Sequence, residues 1–178
     1  VNWCPNCHTA ISDAEVEYKE EASHLWHLRY KIKGENRYVE VATTRPETML
    51  GDTAVAVNPE DKRYTDIVGK TCIVPIVNRE IPIIADEFVE TEFGTGCVKI
   101  TPAHDPNDYQ AGLKHKLEFI EVFDDKTIMG DLMPEVKGMK AIEARKIIVK
   151  KLEELGALVS IEDYTHNVGK CERCKTTI

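Results

Sequence analysis

Four of the six cysteines form two C-x-x-C pairs, Cys4-Pro5-Asn6-Cys7 and Cys171-Glu172-Arg173-Cys174. Each pair turns tightly enough to set two thiolates about 2.3 Å from one metal, so together they are a ligand set for tetrahedral Cys4 zinc. Four thiolates leave no open coordination position, which makes such an ion structural. The gap between the pairs is long, and a shared ion would clamp the two chain ends into a neck. A redox role for either pair competes with this reading, as does the single C-x-x-C-H match to c-type haem attachment from Cys4 to His8. Disulfides would leave Cys72 and Cys97 over, and no export signal is visible. Those two cysteines sit among apolar residues, as small buried hydrophobes do.

Two other segments gather polar chemistry. Ala42-Thr43-Thr44-Arg45-Pro46-Glu47-Thr48-Met49-Leu50-Gly51-Asp52 packs hydroxyls, a guanidinium and carboxylates into one short stretch. It can present several donors and acceptors to a polar ligand, although a plain Thr-rich turn has the same composition. The second stretch runs from Gly94 to Asp108 and contains Cys97-Val98-Lys99-Ile100-Thr101, then Pro102-Ala103-His104-Asp105-Pro106-Asn107-Asp108. Side chains alternate along a strand, so Lys99 and Thr101 share the face opposite Val98 and Ile100. Lys99, Thr101, His104, Asp105 and Asp108 therefore converge where strand meets helix. A capping box built from Asp105 and Asp108 accounts for the two acids equally well.

The elements that position these groups are legible in outline. Trp26, Leu28, Tyr30 and Ile32 alternate with polar residues in a strand expected from Glu15 to Ile32. Shorter strands are expected over 38–43, 53–57, 72–77, 80–84 and 97–101, separated by turn clusters such as Asn58-Pro59-Glu60-Asp61. Two helices are expected: one from Asp105 at the N-cap, with Pro106 at N1, to about Lys116, and one from about Lys140 to Leu155. The second carries Ala141, Ala144, Ile148, Leu152 and Leu155 on one face and stops at Gly156. The class is α+β: a curled, barrel-like sheet flanked by helices, with a zinc-ribbon-like neck of residues 1–14 and 165–178 and a body of residues 15–164.

At 178 residues with 42% hydrophobic and 30% charged side chains, the chain is long and apolar enough for a real core. No apolar run is long enough for a membrane helix. The chain opens at Val1 with no initiator Met or signal-peptide pattern, as a piece of a longer protein would. The net charge of −8 argues against a freestanding nucleic-acid binder. That charge is uneven: residues 1–136 hold 14 basic and 25 acidic residues, and residues 137–178 hold 9 and 6. The basic end suits either a solvated helix face or an RNA-facing patch.

The runs at 42–57 and 94–109 closely resemble the editing domain inserted into the valyl, leucyl and isoleucyl tRNA synthetases, and the valyl branch most of all. The resemblance extends over essentially the whole chain, flanking cysteine pairs included. It implies hydrolysis of the ester of threonyl-tRNA(Val), releasing threonine and intact tRNA. Residue by residue, it implies that Asp108 grips the substrate α-ammonium. Thr43, Thr44, Arg45 and Thr48 then hold the aminoacyl group and terminal adenosine, while Lys99 and Thr101 line the amino-acid pocket. Glu47, Asp105 and His104 are weaker candidates for substrate binding. The family's ATP signatures are absent, so ATP belongs to a full-length enzyme. No metal is expected at the editing site, and no Ser-His-Asp or Cys-His nucleophile set is evident. The resemblance further implies a cytoplasmic, monomeric domain that works with the rest of a synthetase in cis. Editing for a leucyl or isoleucyl enzyme, and an inactive zinc-clamped RNA-binding module, remain the alternatives.

Overall fold

The computed structural model describes residues Val1–Ile178. Its dominant element is strand β3, Val16–Ile32, whose C-terminal half buries Trp26, Leu28, Tyr30 and Ile32 as the alternation requires. Before it come the short antiparallel strands β1 (Asn2–Cys4) and β2 (Thr9–Ile11), which pair only with each other. After it come β4 (Tyr38–Thr43), β5 (Ala54–Val57), β6 (Thr71–Ile73), β7 (Glu80–Ala85) and β8 (Cys97–Ile100). A last strand, β9, runs over Leu158–Cys171.

These strands make one curled sheet in the order β4-β3-β6-β7-β5-β8, with β9 also paired to β3. All the pairings are antiparallel except β5 with β7. The two ends of the sheet approach each other, and the Thr95 hydroxyl bridges them by donating to the Glu40 carbonyl. The result is a half-barrel with its core inside. β5, Ala-Val-Ala-Val, is buried throughout, as a strand covered on both faces must be.

Helix α1 (Pro106–Lys114) packs Ala111 against Ala54, Ala56 and Ile100. Helix α2 (Ala141–Glu154) buries Ala141, Ala144, Ile148 and Leu152 in the main core. Leu155, expected on the same face, is 53% exposed. The helix ends one residue too early for it. Gly156 takes φ +72°, its N–H donates to Glu153, and Ala157 donates to Leu152, so Ala157 turns into the core instead. This is the Schellman closure that a glycine at that position permits.

The element that sequence patterning did not announce is β9. It pairs with β3 from Val16↔Cys171 to Leu28↔Leu158, forming a two-stranded ribbon that runs out of the sheet. The neck boundary expected at 164/165 therefore falls within a continuous strand. At the far end the ribbon meets β1, β2 and the second cysteine pair around a small cluster of Cys4, Ile11 and Cys171.

Candidate functional site

The threonine-rich segment leaves β4 and enters a tight 3-10 turn, Pro46–Gly51, whose residues are all buried. Local hydrogen bonds set its shape: the Arg45 N–H donates to Thr43 Oγ1 (3.0 Å), and Thr48 Oγ1 donates to the Arg45 carbonyl (2.8 Å). The Arg45 guanidinium donates to the carbonyl of His104 (3.0 Å), tying this turn to the strand-to-helix loop. β8 supplies Lys99 and, one step past its end, Thr101. α1 supplies Asp108 from its first turn.

These pieces enclose a pocket of about 290 Å³ lined by Thr43, Thr44, Arg45, Thr48, Lys99, Thr101, His104, Asp105 and Asp108. Glu47, expected to bind substrate, is not among them. Its carboxylate instead receives a bidentate pair of bonds from Arg145 of α2, at 2.9 and 2.8 Å, and is 3% exposed. Within one tight turn the side chains of Glu47 and Thr48 diverge, and only Thr48 reaches the pocket.

The pocket floor is a buried polar network. Lys99 Nζ lies 2.7 Å from Thr101 Oγ1, 3.1 Å from Thr48 Oγ1 and 2.9 Å from Asp52 Oδ1. Asp52 is fully buried; it accepts the Thr101 hydroxyl at 2.6 Å on one oxygen and the Tyr30 hydroxyl at 2.6 Å on the other. Burial pushes the Asp52 carboxyl up, and Lys99, Thr101 and Tyr30 oppose that push. Asp52 lay inside the threonine-rich run without a role in the sequence reading. Its only signal there was being a lone acid between Met49-Leu50-Gly51 and the apolar run that starts at Ala54.

Asp105 is the N-cap of α1, its Oδ1 accepting the N–H groups of Asn107 (2.8 Å) and Asp108 (3.1 Å). Asp108 does not close a capping box. Its Oδ2 turns back to accept the Thr101 N–H at 2.8 Å, which leaves Oδ1 for the pocket. Burial raises its carboxyl to about 6, only partly opposed by the Thr101 bond. The His104 ring accepts the Val122 N–H on Nε2 (2.8 Å) and stacks on Phe123 with centroids 4.1 Å apart. Burial, then the charges of Arg45 and Lys99, lower its pKa to about 4, so it stays neutral. The lining also includes Tyr164 and His166 of β9, which the sequence reading missed.

The four paired cysteines converge at the neck, with sulfurs all within 4.8 Å of one another. Tetrahedral zinc with bonds of about 2.3 Å places its sulfurs about 3.8 Å apart, so this donor set fits such an ion. The two C-x-x-C turns are alike. His8 donates its N–H to Cys4 (2.9 Å) and Lys175 donates to Cys171 (2.7 Å), and both residues take a left-handed backbone, at φ 52° and 63°. Cys72 and Cys97 are buried elsewhere, and burial pushes their thiols to about 12 and about 11.

The half-barrel thus presents two acids, a buried ammonium and a ring of hydroxyls to one pocket. The family model described as "Leucyl-tRNA synthetase, editing domain" matches residues 64–153, just over half of the chain. The chain belongs to that editing-domain family. It is 58% identical over 178 residues to a "Valine--tRNA ligase" of Thermotoga maritima, all of this chain and 21% of that protein. To the protein of the same name from Geobacter sulfurreducens it is 56% identical over 179 residues, all of this chain and 20% of that one. The chain thus spans about a fifth of the length of these relatives. A crystal structure of the ternary complex of Agrobacterium radiobacter K84 agnB2 LeuRS, tRNA and LeuAMS shares the fold. Its TM-score is 0.58 at 18% identity, covering 93% of this chain and 24% of that one.

Proposed function

We propose that this chain is the editing unit of a valine–tRNA ligase and hydrolyses the aminoacyl ester of threonyl-tRNA(Val). The observation that carries the reading is the hydrogen-bond arithmetic of the pocket floor. Lys99 donates to Thr101 and Thr48 and is ion-paired with Asp52 across 2.9 Å, which turns its charge into the floor. Thr101 gives its one proton to Asp52, and Thr48 gives its own to the Arg45 carbonyl. Each hydroxyl oxygen has then accepted once and keeps one lone pair. The two hydroxyls therefore remain as acceptors, which is what a threonine hydroxyl needs. Valine would set a methyl against them and leave buried polar atoms unpaired. A pocket shaped by size alone separates these near-isosteres by only about 100-fold, whereas a site built to bond the hydroxyl discriminates by up to about 10⁴–10⁵.

Asp108 Oδ1 takes the substrate α-ammonium in a charge-assisted bond. Thr43, Thr44 and Arg45 hold the aminoacyl group and the terminal adenosine, and Asp105 positions Asp108 through the helix cap. Water adds to the ester carbonyl and the acyl–oxygen bond breaks. The ribose oxygen leaves with a proton, and threonine departs as the acid. The neighbouring ribose hydroxyl orients the water, and positioning supplies much of the acceleration. Neither ATP nor a metal enters this step. The cysteine cluster is assigned to zinc, which, when bound, cross-links the two ends of the neck. The tRNA body and the ATP chemistry belong to the remainder of the ligase in cis, and the unit is monomeric.

The test compares the chain with Asp108→Ala on threonyl-tRNA(Val), isoleucyl-tRNA(Leu) and valyl-tRNA(Ile). Deacylation confined to the first substrate, and lost in the variant, is the expected result. Undiminished activity of Asp108→Ala would remove that residue from its role, and preference for another ester would reassign the branch.

A further inference from the structure

The pocket has a wall that belongs to neither polar motif. Tyr164 and His166 lie two residues apart on β9, so they share one face of that strand, and both line the pocket. Their rings meet edge to face, with centroids 5.7 Å apart and planes at 83°. Across the ribbon they pair with Ser23 and Glu21. Directly opposed residues share a face, and neither of these gives a ring apolar cover. Both rings consequently stay half-buried at the pocket. The neighbouring carboxylates are both engaged, Glu21 with Lys170 at 3.1 Å and Glu162 with His27 at 2.9 Å.

The size of the pocket makes this wall matter. About 290 Å³ lies at the lower limit of small-ligand pockets, about 300 Å³. It has room for an aminoacyl group and part of its own nucleoside, and a strand leading to them must cross the rim. Single-stranded nucleic acid is held sequence-tolerantly by aromatic side chains on which bases stack.

On the reading that the substrate is an aminoacylated tRNA end, we propose that Tyr164 and His166 form a stacking platform for the base immediately 5′ of the terminal nucleotide. The motif residues then hold the reacting end, and the ribbon holds the strand that delivers it.

The substrates that separate these roles are threonyl-tRNA(Val) and 3′-O-threonyl-adenosine, which lacks the preceding nucleotide. The Tyr164→Ala/His166→Ala variant should raise KM for the tRNA about tenfold. Its kcat on the tRNA should be unchanged, and its kcat/KM on threonyl-adenosine should fall far less than that on the tRNA. Tyr164→Phe, which keeps the ring face, should stay within about twofold of the parent chain. Equal losses on both substrates would mean that the rings only brace the ribbon, and no loss on either would mean that no strand meets them; each result overturns the platform. A second readout needs no turnover. 2-Aminopurine is placed 5′ of the terminal adenosine in uncharged tRNA(Val), and its fluorescence should be quenched by the chain but not by the double variant. Quenching without any ester hydrolysis would sink the deacylase reading and leave the platform standing. Hydrolysis without quenching would sink the platform alone.

Discussion

Asp52→Asn is the most informative single change, because it alters the charge of the pocket floor with almost no change of shape. Asp52 is 0% exposed and neutralises Lys99, itself 8% exposed, across 2.9 Å. Two orientations of the new amide exist. With its NH₂ toward Lys99 and Thr101, donors face donors. With its NH₂ toward Tyr30, that hydroxyl must rotate to accept, and Lys99 still loses its counter-charge. Removing one member of a buried ion pair costs about 3–5 kcal/mol, since an uncompensated charge stays behind. Lys99 borders a solvent-accessible pocket, so the lower end applies, about 3 kcal/mol. At a urea slope of about 2 kcal/mol/M, the unfolding midpoint should fall by about 1.5 M. Adding Lys99→Met removes the stranded ammonium, so the double variant should be more stable than Asp52→Asn alone, with a coupling energy of about 2–3 kcal/mol in the cycle. The variant should also lose discrimination against valyl-tRNA(Val), because Thr101 is no longer held as an acceptor. A midpoint within about 0.3 M of the parent, or strictly additive single changes, would refute the account of the floor.

Four further outcomes are expected. Glu47→Gln breaks the ion pair with Arg145 that holds the 3-10 turn to α2; it should cost about 2 kcal/mol by urea unfolding yet leave kcat of the folded fraction unchanged, since Glu47 does not line the pocket. Asp108 acts as a carboxylate with its pKa raised by burial to about 6, so kcat/KM for threonyl-tRNA(Val) should be level above pH 7 and fall about tenfold per unit below pH 6. The same shift means the folded chain holds that proton more tightly than the unfolded one. Its contribution to stability is therefore present at low pH and lost as pH rises from about 4 to about 6, and Asp108→Asn should raise the melting temperature at pH 7. With zinc in the neck site, a chelator should release Cys4, Cys7, Cys171 and Cys174 to a disulfide reagent as the small neck cluster loosens, while Cys72 and Cys97, held in the main core, stay protected; release of all six would mean that the body depends on the metal.

What was legible in the sequence was whatever carries a local signature. The alternation from Trp26 to Ile32 has a single wet face and reads directly as a half-buried strand. Asp105-Pro106 marks a helix start by chemistry that needs no tertiary context. β9 was hidden because its first half has no dry face: from Val159 to Asp163 every residue is exposed, so apolar alternation is missing. Only the spacing of Tyr164, His166 and Val168 hinted at a strand. Glu47 and Asp52 were hidden for another reason. Both acids sit in the same short run as the pocket hydroxyls, and only the fold determines that one meets Arg145 and the other Lys99. Capping chemistry likewise predicted both acids of α1 as helix stabilisers, but Asp108 is turned by the Thr101 N–H presented to it across the end of β8.

The ribbon of β3 and β9 has its free ends together, at Val16 and Cys171. A pull that separates those ends loads the first pair of hydrogen bonds alone, then the next, so the ribbon by itself would peel at low force. The thiol cluster sits at that vulnerable end, with Cys4 and Cys7 on one side and Cys171 and Cys174 on the other. A bound ion makes peeling impossible until a metal–sulfur bond yields, and any torque on the neck must then travel along both strands together. The strand that carries it is also the one that bears Tyr164 and His166. Twisting the neck would therefore swing one wall of the pocket against a floor anchored in the barrel, so an ion held by the four thiolates would act as a mechanical handle on the mouth of the site.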